Sequence, residues 1–137
     1  MRHKILISPC SGIGKTHGSV AREGAYLITE DLRSDTTQLV PLARVVLGDK
    51  ETQQILAGSP AIAIDGCKLA CAAKVISGAG GTVVHPIQVI DVYRRHRELK
   101  PAGIAELNAA GHKLAAVLAE EVSVLVDGIT AGEKSDV

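Results

Sequence analysis

The alternation of short apolar runs with segments of helical periodicity leaves this chain few folds to choose from. "HKILIS" (residues 3–8) is a continuous aliphatic run closed by Pro9, the pattern of a strand buried on both faces. Val20, Gly24, Leu27, Ile28 and Leu32 then fall at helical spacing, which predicts a helix from Ser19 to Arg33 with Ser19 as its N-cap. "TQLVPL" (residues 37–42) reads as a second strand, with Pro41 at its end, and "ARVVLG" as a further helical turn. "DKETQQILAGS" follows as a helix capped by Asp49 and stopped by Gly58. "PAIAID" (Pro60–Asp65) is a third strand, and "CKLACAAKVISGAGG" is a helix ended by Gly78, Gly80 and Gly81. "TVV", continued through "IQVID" after a break at Pro86, supplies a fourth strand. Ile104, Leu107, Gly111, Leu114, Ala115, Leu118 and Val122 mark one face of a long last helix.

Strand–helix alternation of this kind implies an α/β fold with right-handed crossovers. The expectation is a three-layer, four-stranded parallel sheet, flavodoxin-like or Rossmann-like, in the order 2-1-3-4. The 137 residues suit a single domain, taken as 1–129, with 130–137 as a frayed tail. Phe and Trp are absent and there are two Tyr, so the core must be aliphatic. Fifteen basic residues balance fifteen acidic ones, which leaves no summed field to attract nucleic acid or an anionic membrane. Nucleic-acid binding would also lack aromatic stacking platforms. The apolar run before Ser8 is too short for a signal-peptide core, and none approaches the roughly 18 residues of a membrane span. The expected location is the cytoplasm, where three cysteines act as ligands or reactive thiols rather than as disulfides.

In sheets of this order, ligands bind beyond the carboxyl ends of the strands, where the chain order reverses. The reversal falls between the first and third strands, so the loops carrying Cys10 and Cys67 meet there. Cys67 and Cys71 are four residues apart at the start of a predicted helix and would project from one face. Positively polarised helix N-termini favour thiolates, which serve both as metal ligands and as nucleophiles. Gly66 permits a tight turn, and Asp65 can hold that turn through its carboxylate. Taken singly, each cysteine favours the reading of a small core residue, and it is their convergence at the switch point that points to a thiol or metal site.

"ILISPCSGIGKTHGS" (residues 5–19) invites a competing phosphate reading. A Walker A loop needs Gly at position 9, where this chain has Pro9, although Gly14-Lys15-Thr16 is present. What survives is an anion nest over Ser11, Gly12 and Gly14, helped by Lys15 and the following helix N-terminus. "YRRHRELK" (residues 93–100) reads as a solvated linker, in which Arg94 and Arg95 could meet an anionic partner. Asp91 reads as a turn residue, and Glu120 and Glu121 as the polar face of the last helix.

"PCSGIGKTHGSVAREGAYLI" and "AIDGCKLACAAK" together resemble the DGC-domain family of small zinc-binding proteins, whose motif is Asp65-Gly66-Cys67 here. The resemblance implies zinc held by Cys10, Cys67 and Cys71. The family pattern has four chelating cysteines and this chain has three, so one chain cannot close a four-thiolate site. His85, after the fourth strand, is the candidate fourth ligand, with His17 behind it. Water, a bound thiol, or a donor from the second copy in a homodimer would serve instead. The same thiolates could hold an iron–sulfur cluster. Alternatively the domain is a thiol enzyme or group carrier, with Cys10 as nucleophile on a small anionic or thiol ligand and Cys67 or Cys71 resolving.

Overall fold

A run buried at every position must have a strand on each side and cover on both faces, and Ile5–Pro9 (β1) is such a run. The computed structural model describes residues 4–12, 14–66 and 68–135, the last three by backbone alone. In it β1 pairs in parallel with Thr37–Leu39 (β2) on one side and Pro60–Asp65 (β3) on the other. Thr82–Gln88 (β4) lies beyond β3, also parallel, so the order is β2-β1-β3-β4, as the alternation predicts. Pro9 stands opposite Ile64 and Asp65 opposite Gln88, which sets the carboxyl ends of three strands along one edge.

The helices are Thr16–Tyr26 (α1), widening to a π-helix over Leu27–Leu32, then Leu42–Leu47 (α2), Lys50–Gly58 (α3), Cys71–Gly78 (α4), Val89–Arg95 (α5) and Ala109–Ser135 (α6). Their contacts fall into two groups, α1 with α5 and α6, and α2 with α3 and α4, one on each side of the sheet. Ile5, Leu6, Ile7, Ile62 and Ile64 of the sheet are buried with Val20 and Ala25 of α1 and Leu114, Leu118 and Val122 of α6. A Cβ at Gly24 would lie 2.8 Å from Leu118 Cδ2, so α1 and α6 pack at the closeness that a glycine allows.

Several boundaries differ from the sequence reading, each for a local reason. Helix α1 starts three residues early, because Ser19 does not cap it; its hydroxyl donates instead to the Ile104 carbonyl. Strand β2 stops at Leu39, and Pro41 becomes the N-cap of α2. Strand β4 passes through Pro86 unbroken, since an edge strand tolerates a missing N–H. Its irregularity falls at Val84 instead, because Ala61 pairs with Val83 while Ile62 pairs with His85. Residues 89–95, divided above between a strand and a linker, form α5. Helix α6 begins only at Ala109, where Asn108 Oδ1 accepts from the Gly111 N–H at 2.7 Å, and Ile104 lies in an exposed loop. Helix α6 runs to Ser135 and so includes residues 130–135, expected above to be frayed. No helix among the described residues is long and apolar enough to cross a membrane.

At the end of the π-helical segment, Arg33 Nε and Nη2 each donate to a different oxygen of Asp127, both at 2.8 Å. These hydrogen bonds, with a smaller contribution from the Arg33 charge, hold the Asp127 carboxyl below its ordinary range. A lowered folded-state value means that the stabilisation is present above the unfolded carboxyl pKa of about 3.9 and is lost as pH falls through the folded value. Asp127→Asn should therefore be slightly less stable than wild type at neutral pH. That gap should close below about pH 4 when denaturant midpoints are compared across pH.

Candidate thiol site at the sheet switch point

The site is built where β1 and β3 end side by side. The Cys10 N–H donates to the Ile64 carbonyl at 2.9 Å, which carries the chain one step past β1 while still tied to β3. The Gly66 N–H in turn donates to Cys10 Sγ at 3.2 Å. Cys10 is buried, with its sulfur addressed by the backbone of the second loop. Beyond it the chain turns through Gly12, at φ +36°, whose carbonyl accepts from the Lys15 N–H at 3.1 Å.

Three glycines let these segments touch. A Cβ at Gly12 would stand 2.6 Å from Gly18 Cα, and one at Gly18 would stand 2.7 Å from Gly12 Cα and against the Gly12 carbonyl oxygen. A Cβ at Gly66 would stand 2.9 Å from Gly18 N and 3.0 Å from the His17 carbonyl carbon. The first loop, the first turn of α1 and the turn after β3 are thus in backbone contact. Arg22 braces the outside of the loop: its guanidinium donates to the Ser11 carbonyl at 2.6 Å and to Ser19 Oγ at 3.1 Å.

Asp65, the last residue of β3, is 2% exposed, and its carboxylate serves α4. Oδ1 accepts from the Ala72 N–H at 2.7 Å and Oδ2 from the Ala73 N–H at 3.2 Å. The residue that stands directly before α4 is Ala70, at φ +53° with no side chain able to cap. Asp65 thus supplies from across the turn what an N-cap residue normally supplies next door. Its carboxylate ties the end of β3 to the first turn of α4. The helix itself starts at Cys71 rather than Cys67, since residues 68–70 form a turn. Helix α4 carries Cys71 as its first residue, and Cys67, expected on the same helix face, lies outside the described residues.

Cys10 and Cys71, far apart in sequence, line one cavity of about 540 Å³ together with Ser11, Gly12, Lys15, His17, Asp65, Gly66 and two leucines, Leu42 and Leu69. That volume is in the range of small-molecule sites and far exceeds a bare ion. Cys71 is exposed, which removes its reading as a core residue. Gly14, expected in an anion nest, does not line the cavity, and the Lys15 N–H is already engaged by Gly12. His85 is placed mid-strand in β4, opposite Ile62 and three residues short of the Asp65–Gln88 edge, about 10 Å at strand spacing. It does not line the cavity; His17 does. Among the described residues no group of three His, Cys, Asp or Glu side chains is placed to hold a metal ion. Arg22, Leu42 and Leu69 went unnoticed in the sequence, because a bracing arginine and two leucines carry no motif.

Cys10, in the loop after β1, and Cys71, at the start of α4, thus stand in the wall of one cavity at the switch point of an α/β domain. The chain belongs to the DGC-domain family, whose model, "DGC domain", matches residues 6–110. The match takes in both site loops and ends at the second residue of α6. No curated protein and no solved structure matches the chain.

Gly18→Ala should cost about 1–3 kcal/mol in chemical denaturation, the scale of forced overpacking, because backbone rather than a flexible side chain occupies the space. Asp65→Ala leaves two helix amides without an acceptor and should cost about 2 kcal/mol or more in the same assay, with Asp65→Asn intermediate.

Proposed function

We propose that this domain binds a soft metal ion through cysteine sulfur, with zinc as the metal and Cys10, Cys67 and Cys71 as the donors. The observation that carries the reading is the presence of Cys10 and Cys71 in the wall of one switch-point cavity. Cys10 and Cys71 would supply two of the thiols, and Cys67, next after Gly66 in the sequence, would supply the third. The Gly66 N–H directed at Cys10 Sγ is the kind of outer contact that orients and tunes a thiolate ligand. His85 drops out of the set because β4 holds it away from the site. The Asp65 carboxylate, with both oxygens on α4 amides, acts by fixing the start of the helix that carries Cys71. Bound zinc would supply Lewis acidity and an open coordination position facing the cavity. Binding, delivery and sensing of the metal are the roles in keeping with such a site.

A second reading is favoured by the same Gly66 contact and by a cavity much larger than an ion. In it Cys10 is a nucleophile, its thiolate stabilised by the Gly66 N–H, and Cys71 stands in the same cavity as a second thiol.

Elemental analysis and an absorption spectrum of tag-free protein purified without oxygen separate these readings. The expected result is about one zinc per chain with no visible absorption, reduced in both Cys10→Ser and Cys71→Ser. Iron with broad visible absorption would redirect the reading to an iron–sulfur cluster. Metal-free protein that takes up no added zinc would overturn the metal reading, and modification confined to Cys10 would then favour the nucleophile.

A further inference from the structure

A second cavity, of about 450 Å³, adjoins the one that holds the cysteines. Lys15, Lys68, Arg94 and His17 stand in its walls, with Leu69 and Ile90 as apolar surface. Lys15, His17, Gly66 and Leu69 line both cavities, so the two spaces share a wall. The cations come from three places: Lys15 precedes α1, Lys68 lies in the turn before α4, and Arg94 is on α5. Only the fold brings them together.

The local balance of charge is one-sided. Among the described residues lining the two cavities, Asp65 is the one acidic side chain, and both its oxygens accept from α4 amides. Arg94 has a loose partner, Asp91 at 3.6 Å, and no ion pair among the described residues joins Lys15 or Lys68. The chain as a whole carries no net charge, so this excess is not part of a generally basic surface. A cavity of this volume suits one small molecule rather than a polymer. Two lysines offer point charges, and an arginine offers a planar fork that matches carboxylate or phosphate.

We propose that the Lys15–Lys68–Arg94 cleft holds the anionic end, a carboxylate or phosphate, of a small molecule whose other end meets Cys10 and Cys71. This deepens the reading of the cysteines as the working groups of the site, and rests on it. The ligand class is thus a short molecule with a sulfur-reactive or sulfur-bearing head and an anionic tail. The leucines and Ile90 cover its middle. The cleft selects for charge, while the thiols or their metal engage the head.

The test compares how fast Cys71 of the reduced, metal-free full-length protein reacts with dianionic dithiobis(nitrobenzoate) and with neutral dithiodipyridine, the site being identified by mass spectrometry. In both reactions the thiolate attacks one sulfur of the reagent and a mixed disulfide forms. The aromatic thiolate leaves with the electron pair of the broken S–S bond. The anionic-to-neutral rate ratio should fall about tenfold in Lys68→Ala/Arg94→Ala, at the low end of electrostatic steering, and its salt dependence should shrink. Lys50→Ala/Lys113→Ala, which removes equal charge from α3 and α6, should keep the wild-type ratio. An unchanged ratio in the cleft variant, or an equal fall in the control variant, would overturn the proposal. Neither reagent needs a metal, so loss of the zinc reading and loss of the anion cleft register as separate results.

Discussion

Backbone touches backbone where Gly12, Gly18 and Gly66 meet, and the site is possible only because none of the three carries a Cβ. A parallel sheet delivers its strand ends to one edge, but the loops that follow would ordinarily be held apart by side-chain volume. Here the first loop lies directly on the opening turn of α1, and Gly66, after β3, lies on that same turn. That closeness puts the Gly66 N–H within reach of Cys10 Sγ and brings the wall carrying Cys71 into the same cavity. Packing of α6 over α1, with Gly24 against Leu118, supports the arrangement from behind.

The polar groups around this contact divide the work. Asp65 spends its carboxylate on the amides of α4 and so fixes the position of that helix relative to the strand it leaves. Arg22 spends its guanidinium on the Ser11 carbonyl and on Ser19, which itself reaches the loop before α6. Neither is left to meet a ligand from the described geometry. The groups that do face open space are the thiol of Cys71 and the cations of the neighbouring cleft. The cavity thus pairs a hydrogen-bonded frame with an exposed thiol and exposed cations.

Much of this was legible in the sequence, and the pattern of what was not is instructive. Buried aliphatic runs such as "ILISP" and "PAIAID" have a period and a closing residue, so strand order and the switch point followed from them. The Asp49 cap was equally plain, since its side chain accepts from Thr52 in the next turn. Ser19 misled because a hydroxyl can satisfy a distant carbonyl as readily as a local amide. The start of α4 misled because its cap comes from Asp65, across a turn, where no local rule looks. His85 was expected after a strand that Pro86 had seemed to interrupt; an edge position lets the strand continue and retains His85 within it. Lys68 and Arg94 were individually visible as charges, but their meeting depends on α5, a helix hidden in what read as a linker.

The sheet's two borders are closed to strand addition in different ways. On one side β2 offers only three residues, too few to template a stable ladder. On the other, β4 is seven residues long, but Pro86 withholds a donor and the irregularity at Val84 disturbs the spacing of the rest. Among the described strands, neither border offers a good starting edge for a fibril or a continuous intermolecular sheet. Any contact between folded copies is thereby left to helical faces and loop ends, and Cys10 and Cys71 stand at one such end.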